Sequence, residues 1–361
     1  VLPLKPISKE QEMTQMPSEP VLRWAADAVG AGANVVAVKG LHEGSSPWLL
    51  RIEHGGSTRE VVLRVAGRIF PWQIATGAAA LRVAEAHGLA APRLIASDLD
   101  GRDTGGVPAT LETAVPGSSA MPNKVSPERL RAAGAAIAKV HKVPLEPRRE
   151  LPLKVHSLQN RSLADERPME RRWATLYRAS ADSEKTAVVH ALCELTGWDA
   201  DRAREVMTGT HSTPFLQLAD DKVRSIPRPQ GETVFVHADL WAGNMMWNGD
   251  SDVTLIDWKD AGVGDPGVDL GHLRMKMAVQ YGADAAAQVL DGWQRESGRL
   301  ATNLAYWDAV AALHTPADLD DWEPRFDEEG NQLSSAATTA RRDAFLRAAL
   351  DQLDHEGAAY E

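Results

Sequence analysis

Three short strand-like apolar runs lie early in the chain, at 34–38, 48–53 and 60–65, with glycine clusters between them. Val-rich runs separated by glycine read as antiparallel hairpins. A short amphipathic helix at 21–30 precedes them and stops at Gly30. An Ala-rich helix follows at 74–87, ended by Gly88, and further extended runs occupy 93–96 and 107–115. Beyond that the apolar period changes. Ser126 and Pro127 supply an N-cap and a first-turn proline for a helix running to Val143. Helical patterning dominates 155–225 and returns at 268–280, 283–297, 301–314 and 336–353. Two apolar extended runs lie between, at 233–236 and 253–256. A strand-rich first third and a mainly helical remainder predict an α+β fold.

Composition narrows the function little. The net charge of −11 argues against a nucleic-acid partner, because phosphate backbones are bound by basic surfaces. The single cysteine, Cys193, can form no internal disulfide and lacks zinc-site spacing; in a helical pattern it is expected to be a buried small residue. No apolar run is long enough to span a membrane. Residues 1–20, polar and Pro-rich, are expected to be a flexible tail and not a secretory signal, which makes the cytoplasm the expected location.

The chemistry concentrates between Val234 and Gly271. An apolar run ends at His237, and a carboxylate, Asp239, follows two residues later. An amide, Asn244, comes five residues after that, and a second apolar run delivers Asp257. If the runs flanking residues 248–252 pair as a hairpin, Asn244 and Asp257 sit at neighbouring strand ends. Their oxygens could then share one hard cation such as magnesium. Asp239 would be left to accept a proton from a hydroxyl, which is the division of labour that phosphoryl transfer needs.

His237-x-Asp239-x-x-x-x-Asn244, followed by Ile-Asp257-Trp and Gly-Asp265-Pro-x-x-Asp269-Leu, resembles the aminoglycoside phosphotransferase branch of the protein-kinase-like small-molecule kinases. That resemblance spans roughly residues 34–314. It implies a two-lobed protein-kinase-like fold, with a small antiparallel-sheet lobe at 21–117, a mainly helical lobe at 118–361 and the nucleotide between them. Carried over position by position, it makes Asp239 the base and Asn244 and Asp257 the Mg2+ ligands. His237 and Asp269 become supports of the catalytic loop. The run around Glu112 and Ala114 resembles the hinge strand that holds the base of ATP or GTP. Arg64 takes the place of the phosphate-binding lysine, and Gly44, Ser45 and Ser46 form a loose phosphate-covering turn. The glutamate expected to pair with Arg64 aligns at Thr76 or Gly77, neither of which is acidic; Glu85 is the only acid of that helix. Trp241 and Asp260 are candidate substrate contacts.

The expected function is transfer of the γ-phosphoryl group of ATP or GTP to a hydroxyl of a small acceptor. An antibiotic acceptor such as an aminoglycoside competes with a metabolic amino alcohol, sugar or amino acid, and a catalytically weak nucleotide-binding protein of the same fold is the alternative. A protein kinase fits poorly, because Gly264-Asp265-Pro266 follows Asp257 too soon for an activation segment.

Overall fold

The computed structural model describes residues 16–41, 46–67, 71–143, 154–156, 169–208, 212–317, 319 and 325–358. The chain forms two compact units. One comprises 1–116 with 148–153 and 254–260; the other comprises 117–147, 154–253 and 261–361.

The first unit opens with α1 (Glu19–Val29), then β1 (Asn34–Gly40), β2 (Trp48–His54) and β3 (Ser57–Val65). After α2 (Gln73–Ala86) come β4 (Leu94–Asp98) and β5 (Ala109–Thr113). The strands pair antiparallel in the order β1-β2-β3-β5-β4. Side chains alternate across a pleat, so every second residue of adjacent strands shares a face. Leu50 opposes Val61, and Leu63 opposes Leu111. These four and Ile52 have no exposed surface, and Val21 and Ala25 of α1 pack on them. The predicted strands and both helices are present. α1 starts inside the segment expected to be a tail, because Ser18 and Pro20 provide a helix start; residues 1–15 lie outside the described ones.

The second unit holds α3 (Pro127–His141), β6 (Lys154–His156), α4 (Met169–Ala179), α5 (Asp182–Thr196), α6 (Ala200–Thr208) and α7 (Pro214–Ser225). β7 (Val234–Val236), β8 (Met245–Asn248), β9 (Asp252–Leu255) and β10 (Gly262–Gly264) follow, β9 running into the first unit. α8 (Gly267–Tyr281), α9 (Ala283–Ser297), α10 (Leu304–Leu313) and α11 (Ser335–Ala358) complete it. Ser126 caps α3 by accepting from the Arg129 N–H at 3.1 Å, as expected. α3 and α9 cross with backbones nearly touching. A Cβ on Gly134 would stand 2.0 Å from the Val289 carbonyl oxygen, and one on Gly292 would stand 2.0 Å from that of Arg131. α7, α8, α10 and α11 enclose the main helical core around Tyr306, Trp307, Leu313 and Leu346. A smaller cluster joins α5 and α6 through Leu192 and Met207. Cys193 packs there only half-buried, not buried as expected.

One small sheet was not foreseen. β10 pairs parallel with β6 and antiparallel with β7. It closes the base of the segment that carries the motif.

Candidate active site

β7 brings the chain to His237, whose side chain is fully buried. Asp269, in the first turn of α8, holds the turn that follows. Its carboxylate accepts from the backbone N–H of His237 at 2.8 Å and of Ala238 at 2.6 Å. A third donor is His141 of α3. Trp293 Nε1–H donates to His141 Nδ1 at 3.0 Å, so Nε2 carries the proton that Asp269 accepts at 3.1 Å. Burial alone would raise the Asp269 pKa; the hydrogen bonds from His141 and from the His237 backbone reverse that and lower it. Ala238 thereby stays at φ +63°, a left-handed conformation that L-residues avoid.

Asp239 emerges from this clamp. Its backbone N–H points at His237 Nδ1 at 3.3 Å. Asn244, in a short 3-10 turn, donates Nδ2–H to the Asp239 carbonyl at 2.7 Å and to Oδ2 at 3.2 Å. The amide nitrogen therefore faces Asp239 and the amide oxygen faces away. Trp241 lies half-buried with its ring folded over Gly243, where a Cβ would meet it at 2.2 Å.

The strand-rich unit builds a second group. Arg64 on β3 donates Nε–H to Glu112 of β5 and Nη1–H to Asp257 Oδ1 at 2.8 Å. Lys259 donates to the other Asp257 oxygen at 2.6 Å. Burial opposes the Arg64 charge, but the carboxylates of Glu112 and Asp257 outweigh it and raise the pKa. Asp257 sits at φ +64°, the second left-handed residue at a motif position. α2 packs on the turn Trp258–Asp260, with Gly77 over the Lys259 backbone, and Gln73 donates weakly to Asp260 at 3.3–3.4 Å.

The helix carboxylate sought for Arg64 is thus replaced by a strand carboxylate. Glu85 points instead to Arg93, at 3.1 Å. Ser46 Oγ accepts from the Val65 N–H at 2.9 Å; Gly44 and Ser45 lie outside the described residues. Ala114 follows β5, half-buried. Lys259 was legible only as a departure from the protein-kinase pattern, and the buried His141–Trp293 link left no signal in spacing.

Asn244 and Asp257 offer an amide and a carboxylate, both hard oxygen donors of the kind magnesium takes. Among the described residues no group of three or more His, Cys, Asp or Glu could hold a metal. Among the described residues, no helix is long and apolar enough to cross a membrane.

Solved structures of the same fold include macrolide 2'-phosphotransferase MphH from Brachybacterium faecium. It is 18% identical, with 82% of this chain and 90% of that chain covered and a TM-score of 0.51. A thermostable mutant of aminoglycoside phosphotransferase APH(4)-Ia, in ternary complex with ADP and hygromycin B, is 18% identical over 91% of this chain and 98% of that chain, with a TM-score of 0.50. No curated protein sequence matches significantly. The profile of the phosphotransferase enzyme family (APH) matches residues 26–313, most of the chain and every motif residue above. The chain belongs to that family and is a phosphotransferase with an alcohol group as acceptor.

Proposed function

We propose that the protein transfers the γ-phosphoryl group of ATP or GTP to a hydroxyl of a small acceptor, with Asp239 as the base. The observation that carries this is the clamp on residues 237–239. Asp269 spends three hydrogen bonds on presenting one carboxylate from a strained turn. Strain and buried charge collected at one loop support a functional purpose.

The acceptor hydroxyl gives its proton to the Asp239 carboxylate as its oxygen bonds to the γ-phosphorus. The bond from that phosphorus to the bridging oxygen breaks, and the nucleoside diphosphate leaves. Asn244 and Asp257 are the residues that would hold magnesium, which would supply charge neutralisation on the phosphates. Arg64 binds phosphate, with Glu112 and Asp257 fixing its guanidinium. The backbone after β5, through Ala114, receives the base.

The test is label transfer from γ-labelled ATP or GTP, with magnesium, to panels of antibiotics, amino alcohols, sugars and hydroxy acids. Asp239→Asn is expected to cut transfer by about 10²–10⁴-fold with nucleotide affinity near wild type. Normal transfer by that variant would refute the assignment.

A further inference from the structure

Three helices meet at one buried chain of polar groups. Trp293 of α9 donates Nε1–H to His141 Nδ1 of α3 at 3.0 Å, and His141 Nε2–H donates to Asp269 Oδ2 of α8 at 3.1 Å. All three residues are at most 4% exposed, so solvent cannot replace a bond that is lost. The chain has a direction. An indole nitrogen only donates and a carboxylate only accepts, which leaves the imidazole between them a single tautomer. Replacing buried charged pairs by apolar packing often costs no stability. What this chain adds over apolar packing is that direction.

Its far end bears on the loop that carries Asp239. Asp269 Oδ2 takes the His141 proton and the His237 N–H together, while Oδ1 takes the Ala238 N–H. With Oδ2 pinned by two donors, the carboxylate plane cannot turn away from Ala238, which stays at φ +63°. A second contact runs the same way. Two residues beyond α3, the Val143 carbonyl accepts from the Phe235 N–H of β7 at 3.0 Å. The near end is held as firmly. α3 and α9 interlock at Gly134 and Gly292, and Lys142 donates to Glu296 at 2.6 Å, one turn beyond Trp293.

We propose that His141 and Trp293 are positioning residues for phosphoryl transfer. Trp293 locks the imidazole as an Nε2–H donor, and that donor fixes the Asp269 carboxylate and, through it, the turn that presents Asp239 to the acceptor hydroxyl. The proposal rests on the kinase reading above. It separates two halves of one side chain: the Nε2–H of His141 serves turnover directly, and its Nδ1 serves only to keep the proton on Nε2.

The experiment uses two replacements that each keep one half. Gln puts its amide nitrogen where the imidazole has Nε2, and Asn puts its amide oxygen where it has Nδ1. His141→Gln therefore keeps the donor to Asp269, and His141→Asn keeps the acceptor for Trp293. Each leaves a buried polar group without its partner, so both should lose stability in denaturant unfolding. Turnover should part them. Label release from γ-labelled ATP or GTP is measured with magnesium, to the panel acceptor that wild type labels or, where it labels none, to water. His141→Asn should lose on the order of 10²-fold in kcat with the nucleotide KM unchanged, and His141→Gln should stay near wild type. Hydrogen exchange at the His237 and Ala238 amides should quicken in His141→Asn alone. Trp293→Phe keeps an aromatic ring but not the donor, and should lose about threefold in kcat; it carries the test if His141→Asn does not fold. Equal kcat in the two His141 variants, or a Trp293→Phe kcat equal to wild type, overturns the proposal while leaving the kinase reading intact. So does a wild-type 15N spectrum with the His141 proton on Nδ1. A wild type that releases no label to any acceptor or to water removes the kinase reading, and this proposal with it.

Discussion

Each unit buries an arginine against acidic side chains, and the balance of forces comes out in opposite directions. On α8, Arg274 meets a single carboxylate, Asp308, through contacts of 2.9–3.3 Å, and spends a remaining N–H on the Ala286 carbonyl. Burial dominates there. It pushes Asp308 up to about 6 against the pull of Arg274. In the strand-rich unit Arg64 meets two carboxylates, Glu112 and Asp257, and they overcome its burial. One pair is closed, with its polar groups spent on each other and on backbone. The other accumulates charge, adds Lys259, and ends on a left-handed backbone at Asp257. A buried pair that merely holds helices together needs no excess charge or strain. Their presence around Asp257 is what supports the role proposed for that group.

The comparison predicts its largest effect in the closed pair. Asp308→Ala leaves Arg274 buried and uncompensated, which should cost about 3–5 kcal/mol of stability in denaturant unfolding. Replacing both partners, with Arg274→Met and Asp308→Leu, should recover most of it, because two desolvation penalties disappear together. If the single and double replacements are equally destabilised, the pair contributes through more than charge and the contrast fails.

Which residues form these pairs was only partly legible in the sequence. The five strands of the first unit and the helices from α3 onward announce themselves through period and glycine stops, because those signals are local. The motif from His237 to Asp269 was legible for the same reason, as its spacing is short. Arg64 was recognisable by place on β3, but its partner was sought on α2 at Thr76 or Gly77. The reason is physical: α2 uses Gly77 to lie on the Lys259 backbone, and the carboxylate comes from Glu112, 48 residues from Arg64 and opposite Val62 in the sheet. A long-range pairing leaves no mark on local periodicity. β6 and β10 were missed because three residues carry too little pattern, and β10 begins and ends on glycine, at Gly262 and Gly264.

A second, smaller effect separates the pairs by pH. The Asp308 pKa is raised in the fold, from 3.8 to about 6. Between those values the folded state keeps a proton that the unfolded chain has released. Stability therefore falls as pH rises through that window and levels off above it. The loss should be on the order of 2–3 kcal/mol, read as the difference between wild type and Asp308→Asn. The subtraction matters because Asp269 is shifted downward, so its contribution is lost as pH falls. A difference that is flat from pH 4 to pH 7 would mean that Arg274, and not burial, controls Asp308.

The smallest effect tests the open group. Arg64→Lys keeps the positive charge but removes the planar fork that reaches Glu112 with Nε and Asp257 with Nη1 at 2.8 Å. An ammonium is a point donor on a flexible stem, and Lys259 already holds the other Asp257 oxygen at 2.6 Å. The replacement should therefore serve one carboxylate and leave the other with one charged hydrogen bond fewer. Magnesium-nucleotide affinity should fall by about tenfold, the worth of one such bond. Unfolding stability should change less than it does for Asp308→Ala, because Arg64 keeps a fifth of its side chain in solvent and its carboxylates keep a cation. Titration calorimetry with ATP and GTP, alongside denaturant unfolding, reads both quantities. If the lysine form binds nucleotide as wild type does, the fork is a structural clamp like Arg274, and the charge gathered at Asp257 needs another explanation.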